Sequence, residues 1–158
     1  MENDERCAAD ASEQRRRWMS ILARSSRVEI ETVWEEDSRS VEFSWLRMPH
    51  TGLVMIRGRT GGTGGPFNLG EMTVSRCALQ LACGTVGHGY VQGRDHKHAE
   101  LAAKLDALLQ KDDERGKRLV PVIESLRRLQ EQRRLERSRK AASTRVEFFT
   151  MVRGENSK

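Results

Sequence analysis

Residues 52–94 read GLVMIRGRTGGTGGPFNLGEMTVSRCALQLACGTVGHGYVQGR, and this stretch decides the fold. A short apolar run, Leu53 to Ile56, breaks at Arg57, Gly58 and Arg59 into a loop that holds Gly61, Gly62, Gly64 and Gly65. A longer strand-like run extends from Leu69 to Ala82, and after a turn at Cys83 and Gly84 a third runs from Thr85 to Val91. Glycines this dense mark backbone that turns tightly or that a partner approaches closely, not a packed core. In the long run Met72 and Val74 share one face while Cys77, Leu79 and Leu81 share the other, so a bulge is expected near Ser75 and Arg76.

Upstream, Val41, Phe43 and Trp45 alternate with Glu42 and Ser44, the period of a strand, and Pro49 is expected to stop it. Four successive strands joined by short turns favour antiparallel pairing. Before them, Ser12 is expected to cap a helix with Trp18, Ile21, Leu22 and Ser25 on one face and Arg15, Arg16 and Arg17 in water. Ser26 and Glu29 form a capping box for a second helix that buries Ile30, Val33 and Trp34.

Downstream, Asp95 caps a helix striped by Leu101, Leu105, Leu108 and Leu109. A polar break over 112–118 follows, and Pro121 is read as opening a long helix through Val122, Ile123, Leu126 and Leu129 into an Arg-rich half. The fold class is therefore α+β: an antiparallel sheet of about four strands, an N-terminal helical hairpin and long C-terminal helices. A disordered tail is expected over 1–11, one domain with a helical arm and an apolar tail over 12–154, and a disordered tail over 155–158. Phe148, Phe149 and Met151 in that apolar tail are expected to contact a partner.

The 158 residues are 32% charged and 37% hydrophobic with four Phe, three Trp and one Tyr, a thin supply that implies a core finished against another chain. The net charge of +5 suits nucleic acid, an anionic membrane, a nucleotide or an acidic partner without choosing among them. Three cysteines show no disulfide framework, no apolar run is long enough to span a membrane, and the acidic start is unlike a signal peptide; a cytoplasmic protein is expected.

The glycine loop lies between strands and lacks both the strand-then-helix setting and the Lys-Ser/Thr pair of a phosphate loop. Three readings stay open for Gly61, Gly62 and Gly64: a hairpin turn, an anion nest helped by Arg57 and Arg59, or a loop inserted into another subunit. Arg57, Arg59, Arg76 and Arg94 could converge on phosphate, since guanidinium matches phosphate oxygens. His88, between two glycines, is expected to have an accessible ring. His96, His98, Cys77 and Cys83 have no metal-ligand spacing, so no metal site is assigned, and no catalytic residue is identified. Glu131 and Glu136 interrupt the basic helix, which disfavours nucleic acid as partner.

Several strings then carry a resemblance: RGRTGGTGGPFNLGEMTVSRCA, GTVGHGYVQGRD with HAELAAKLDALLQ, AASTRVEFFTMVRGE, and Arg17 to Met19 in the first helix. From Gln14 to Glu155 the chain resembles the G subunit of the bacterial carbon-phosphorus lyase core complex, the PhnG family. Gly65 stands where Asp or Ala is expected and Cys83 where a small polar residue is expected. The resemblance implies a cytoplasmic assembly with H, I and J subunits, each present twice, together with an L subunit, in the catabolism of organic phosphonates. It implies that the I subunit, aided by G, H and L, displaces adenine from MgATP by methylphosphonate to give α-D-ribose 1-methylphosphonate 5-triphosphate. It further implies that J cleaves the carbon-phosphorus bond with S-adenosylmethionine and an iron-sulfur cluster. No cofactor and no catalytic residue is carried to this chain, which is expected to be a structural subunit. Direct nucleotide binding through the glycine loop and nucleic-acid binding are the alternatives.

Overall fold

The computed structural model describes the backbone of residues 2–34 and 41–144 and the side chains of 10–32 and 41–144. Helices α1 (Glu2–Arg24) and α2 (Arg27–Trp34) precede strands β1 (Phe43–Arg59), β2 (Pro66–Leu81) and β3 (Val86–Gln92); helices α3 (His96–Leu109) and α4 (Glu114–Ser143) follow. The strands form one antiparallel sheet in the order β1-β2-β3.

Among the described residues the sheet has three strands, not four, because β1 continues through Pro49. Proline lacks an N–H, but β1 is an edge strand, and Pro49 falls in a register shift between Arg47 and His50, where no ladder donor is missed. The expected bulge near Ser75 and Arg76 is also corrected. The β2–β3 register runs unbroken from Val74 opposite Gln92 to Gln80 opposite Val86, and the extra residues lie on β1 between Trp45 and His50 and on β2 at Leu69. Val74 and Ser75 are both buried, so this part of β2 is covered on two faces, with the Ser75 hydroxyl donating to Gly93 O at 2.8 Å.

Helix boundaries differ in two places. α1 begins at Glu2, so Ser12 lies inside the helix, which also takes in residues read as a tail. Alanines at 8, 9 and 11 favour helix. α4 begins at Glu114 because Asp113 caps it, accepting from Gly116 N at 2.8 Å; Pro121 sits inside the helix and not at its start. The other caps match the sequence. Ser26 and Glu29 form the reciprocal box, at 2.9 and 3.3 Å, and Asp95 accepts from His98 N at 3.0 Å.

The core lies between one sheet face and the helices. Cys77, Leu79 and Leu81 of β2 meet Ala99, Ala103 and Leu105 of α3, joined by Leu22 of α1, Ile30 of α2, and Leu119, Ile123 and Leu126 of α4. Phe43 and Trp45 close its margin edge-to-face, with ring centroids 5.1 Å apart.

β3 pairs with β2 only as far as Val74, so the far half of the β1–β2 hairpin is a two-stranded ribbon. Residues 66–71 are all exposed. Leu53, Met55, Phe67 and Leu69 on this ribbon are 62%, 54%, 44% and 65% exposed. Among the described residues no helix is long and apolar enough to cross a membrane.

Candidate functional site

The ribbon ends in the glycine loop. Gly61 and Gly62 have φ of +58° and +81°, and a Cβ on either would meet open space, so they are glycine for backbone shape alone. The turn closes on itself: Gly64 N donates to Thr60 O at 2.9 Å and Arg59 Nη1 to Gly64 O at 3.2 Å. Arg57, opposite Asn68, and Arg59, opposite Pro66, are exposed beside it.

Arg76 and His88 lie elsewhere. Arg76 pairs with His50 on one side and Tyr90 on the other, forming a row across the sheet face that the helices leave open. Arg76 Nε donates to His50 Nε2 at 2.8 Å, which leaves His50 Nδ1 to donate to Met48 O at 3.3 Å. His88 is exposed two residues before Tyr90 on β3, opposite Ala78, and Arg94 is exposed in the turn after β3. From Asn68 to Arg76 the strand rises about 26 Å, so the arginines predicted to converge form two separate groups. Phe148, Phe149 and Met151 lie outside the described residues.

The glycines flanking His88 serve a different purpose from the one the sequence suggested. A Cβ on Gly87 would stand 2.0 Å from Ala103 O, and one on Gly89 1.9 Å from Ala99 O. They let the backbone of α3 lie directly against β3, on the side away from the His88 ring.

Asp106 is the polar centre that the sequence reading missed. It is fully buried and accepts from Arg15 Nε at 3.1 Å, Arg15 Nη2 at 2.8 Å, Trp18 Nε1 at 2.9 Å and the His88 backbone N at 2.9 Å. Arg15 also donates to Val86 O at 3.3 Å, so Asp106 and α1 together seal the free edge of β3. Arg15 therefore turns inward, where the sequence had placed it in water. The signal was available: a carboxylate amid the apolar stripe of α3 needs buried donors, and Arg15 and Trp18 lie three apart on α1. With its acceptor positions filled, Asp106 has a structural role.

The structure describes the side chains of two cysteines, Cys77 and Cys83. Burial pushes the Cys77 thiol up to about 11, while the hydrogen bond from Thr85 holds exposed Cys83 below the ordinary thiol value. Among the described residues no group of three His, Cys, Asp or Glu side chains could hold a metal ion. Two adjoining clefts of about 780 and 660 Å³ lie between α1 and α4 and share Arg24, Arg127 and Gln130. Their walls are rich in arginine.

Comparison with known proteins accounts for most of the chain. A family model described as phosphonate metabolism protein PhnG matches residues 13–154. A protein of Rhizobium meliloti (strain 1021), alpha-D-ribose 1-methylphosphonate 5-triphosphate synthase subunit PhnG, is 45% identical over 143 residues, covering 90% of this chain and 91% of that protein.

Proposed function

Because the chain belongs to the PhnG family of phosphonate metabolism proteins, we propose that it is a docking subunit of an assembly that makes α-D-ribose 1-methylphosphonate 5-triphosphate. The reacting groups in this reading belong to partner chains. The observation that carries it is the β1–β2 ribbon, which projects beyond the sheet with Leu53, Met55, Phe67 and Leu69 all exposed. A two-stranded ribbon in water is marginally stable by itself, and covering its apolar side chains would contribute on the order of 1 kcal/mol each. Its backbone offers free edges on both strands to a neighbouring chain.

The partners proposed are the H, I and J subunits, each present twice, with the L subunit, in the cytoplasm. MgATP is the substrate of the assembly; S-adenosylmethionine and an iron-sulfur cluster belong to another subunit. Arginines at the ribbon tip then lie at the far end of a docking arm, in the role of contact surface.

Co-expression with a candidate I subunit tests this. Wild type should co-purify as a stable complex, and Leu53→Asp with Leu69→Asp should abolish it while the far-ultraviolet circular dichroism of the isolated chain is retained. Co-purification of the double variant at the wild-type ratio would refute ribbon docking.

A further inference from the structure

The seal on the free edge of β3 is short. Arg15 reaches Val86 O and Asp106 takes the His88 N–H, and the strand runs on beyond them to Gln92. Leu81 N donates to Thr85 O and Gly93 N to Thr73 O, both at 2.9 Å, so the odd-numbered residues of β3 bond to β2 and the even-numbered ones direct their backbone outward. Among the described residues His88 O, Tyr90 N and Tyr90 O carry no hydrogen bond.

Beside this open edge lies a cavity of about 180 Å³ between α1 and β3, whose lining includes Met19, Leu22 and Ala23 of α1, Ala102 of α3, and His88 and Tyr90. A cavity of about 150 Å³ holds one benzene-sized group, so this one has room for a single Leu, Met or Phe side chain. Ala23 also borders the larger arginine-lined cleft, as does Gln92, the last outward-facing residue of β3. The groove therefore runs from a mainly apolar cavity beside Tyr90 into a basic one that Arg24, Arg134 and Arg137 face. None of those three has a carboxylate partner among the described residues.

We propose that this groove takes an extended acidic peptide segment of a partner protein, bonded through its backbone to Tyr90, with one apolar side chain in the cavity and carboxylates beyond it facing the arginines. Outward-facing strand groups without partners match a peptide backbone, and a cavity of one side chain's volume beside them gives that backbone a register. Same-side residues of an extended chain recur about every 7 Å, so carboxylates spaced along it can meet arginines that are themselves spread along α4. No residue of the β1–β2 ribbon takes part, and the surface is a second one, independent of ribbon docking.

The full-length chain is titrated with a fluorescein-labelled probe peptide of alternating threonine and glutamate in which one glutamate is replaced by leucine, and binding is read by fluorescence anisotropy. Saturable binding is expected, and changing the leucine to glycine should weaken it about tenfold or more. Ala23→Leu, which fills the cavity from α1, should make the leucine and glycine probes bind alike. In Arg134→Ala with Arg137→Ala the glutamate probe should bind about fivefold more weakly, while a glutamine counterpart is unaffected. Methylating alternate probe amides along one edge should abolish binding, and methylating those along the other edge should be tolerated. Equal tolerance on both edges would reduce the effect to charge attraction and overturn the proposal, as would failure of the leucine probe to bind. Hydrogen exchange on the same samples reads the Tyr90 amide, which the probe should protect. Protection of that amide in the free chain, lost when residues 145–158 are removed, would assign the groove to the chain's own tail and would also overturn the proposal. The assay needs no second subunit, so its outcome and that of the ribbon test are read separately.

Discussion

Arg15 and Asp106, 91 residues apart, meet through two nitrogen–oxygen contacts of 3.1 and 2.8 Å at the edge of the sheet. The pair joins α1 to α3 and, through the His88 N–H, to β3. A carboxylate buried there is stable only with every donor in place. Asp106→Ala leaves Arg15, Trp18 Nε1 and the His88 N–H without their acceptor, and should cost about 3 kcal/mol. Urea unfolding of the isolated chain measures this; a change under about 1 kcal/mol would show that water replaces the carboxylate without loss.

The approach of α3 to β3 gives a second expectation. Gly89→Ala drives a methyl group into Ala99 O, and the helix must move for it to fit. A loss of about 3 kcal/mol or more is expected, with a drop in the thermal midpoint, because the obstacle is backbone. Gly65→Ala, where nothing lies within 4 Å, is the matched control and should be nearly neutral.

Alkaline titration offers a third. Cys77 has its pKa raised from 9.0 to about 11 by burial, so the folded state holds its proton where the unfolded state releases it. This contribution is fully present below pH 9.0 and is lost as pH rises toward about 11, by about 3 kcal/mol at most. The Cys77→Ala variant should therefore show a shallower fall in stability across that window than wild type. Parallel curves would assign the slope to other groups.

At the hairpin tip, Arg57→Ala with Arg59→Ala should leave the nucleotide affinity of the assembled complex unchanged, since the tip serves as contact surface and not as a ligand site. Calorimetric titration of the purified complex measures it. Weakened nucleotide binding in an intact complex would transfer the tip from contact surface to ligand site.

Local signals were legible wherever one residue's chemistry sufficed. The Ser26–Glu29 box and the Asp95 cap needed only neighbours three residues apart, and both formed. Pro49 misled because its cost depends on whether the strand is an edge, which is a property of the sheet. Pro121 misled because Asp113 caps α4 earlier, and the helix absorbs the lost hydrogen bond.

The candidate site was read less well, since Arg57 and Arg76 are close in sequence but separated along an extended strand. The glycines beside His88 were noticed for the face they leave open, whereas the space they provide is taken by α3.

The amino-acid order by itself determined the α+β class, the antiparallel hairpins and the family, because periodicity, turns and long unusual strings are properties of neighbouring residues. Tertiary structure alone decided that Asp106 closes the sheet edge, that the apolar ribbon stands clear of the core, and that arginines of α1 and α4 share a groove. Those facts depend on contacts between segments distant along the chain, whose distances and burial are set only when the helices pack on the sheet.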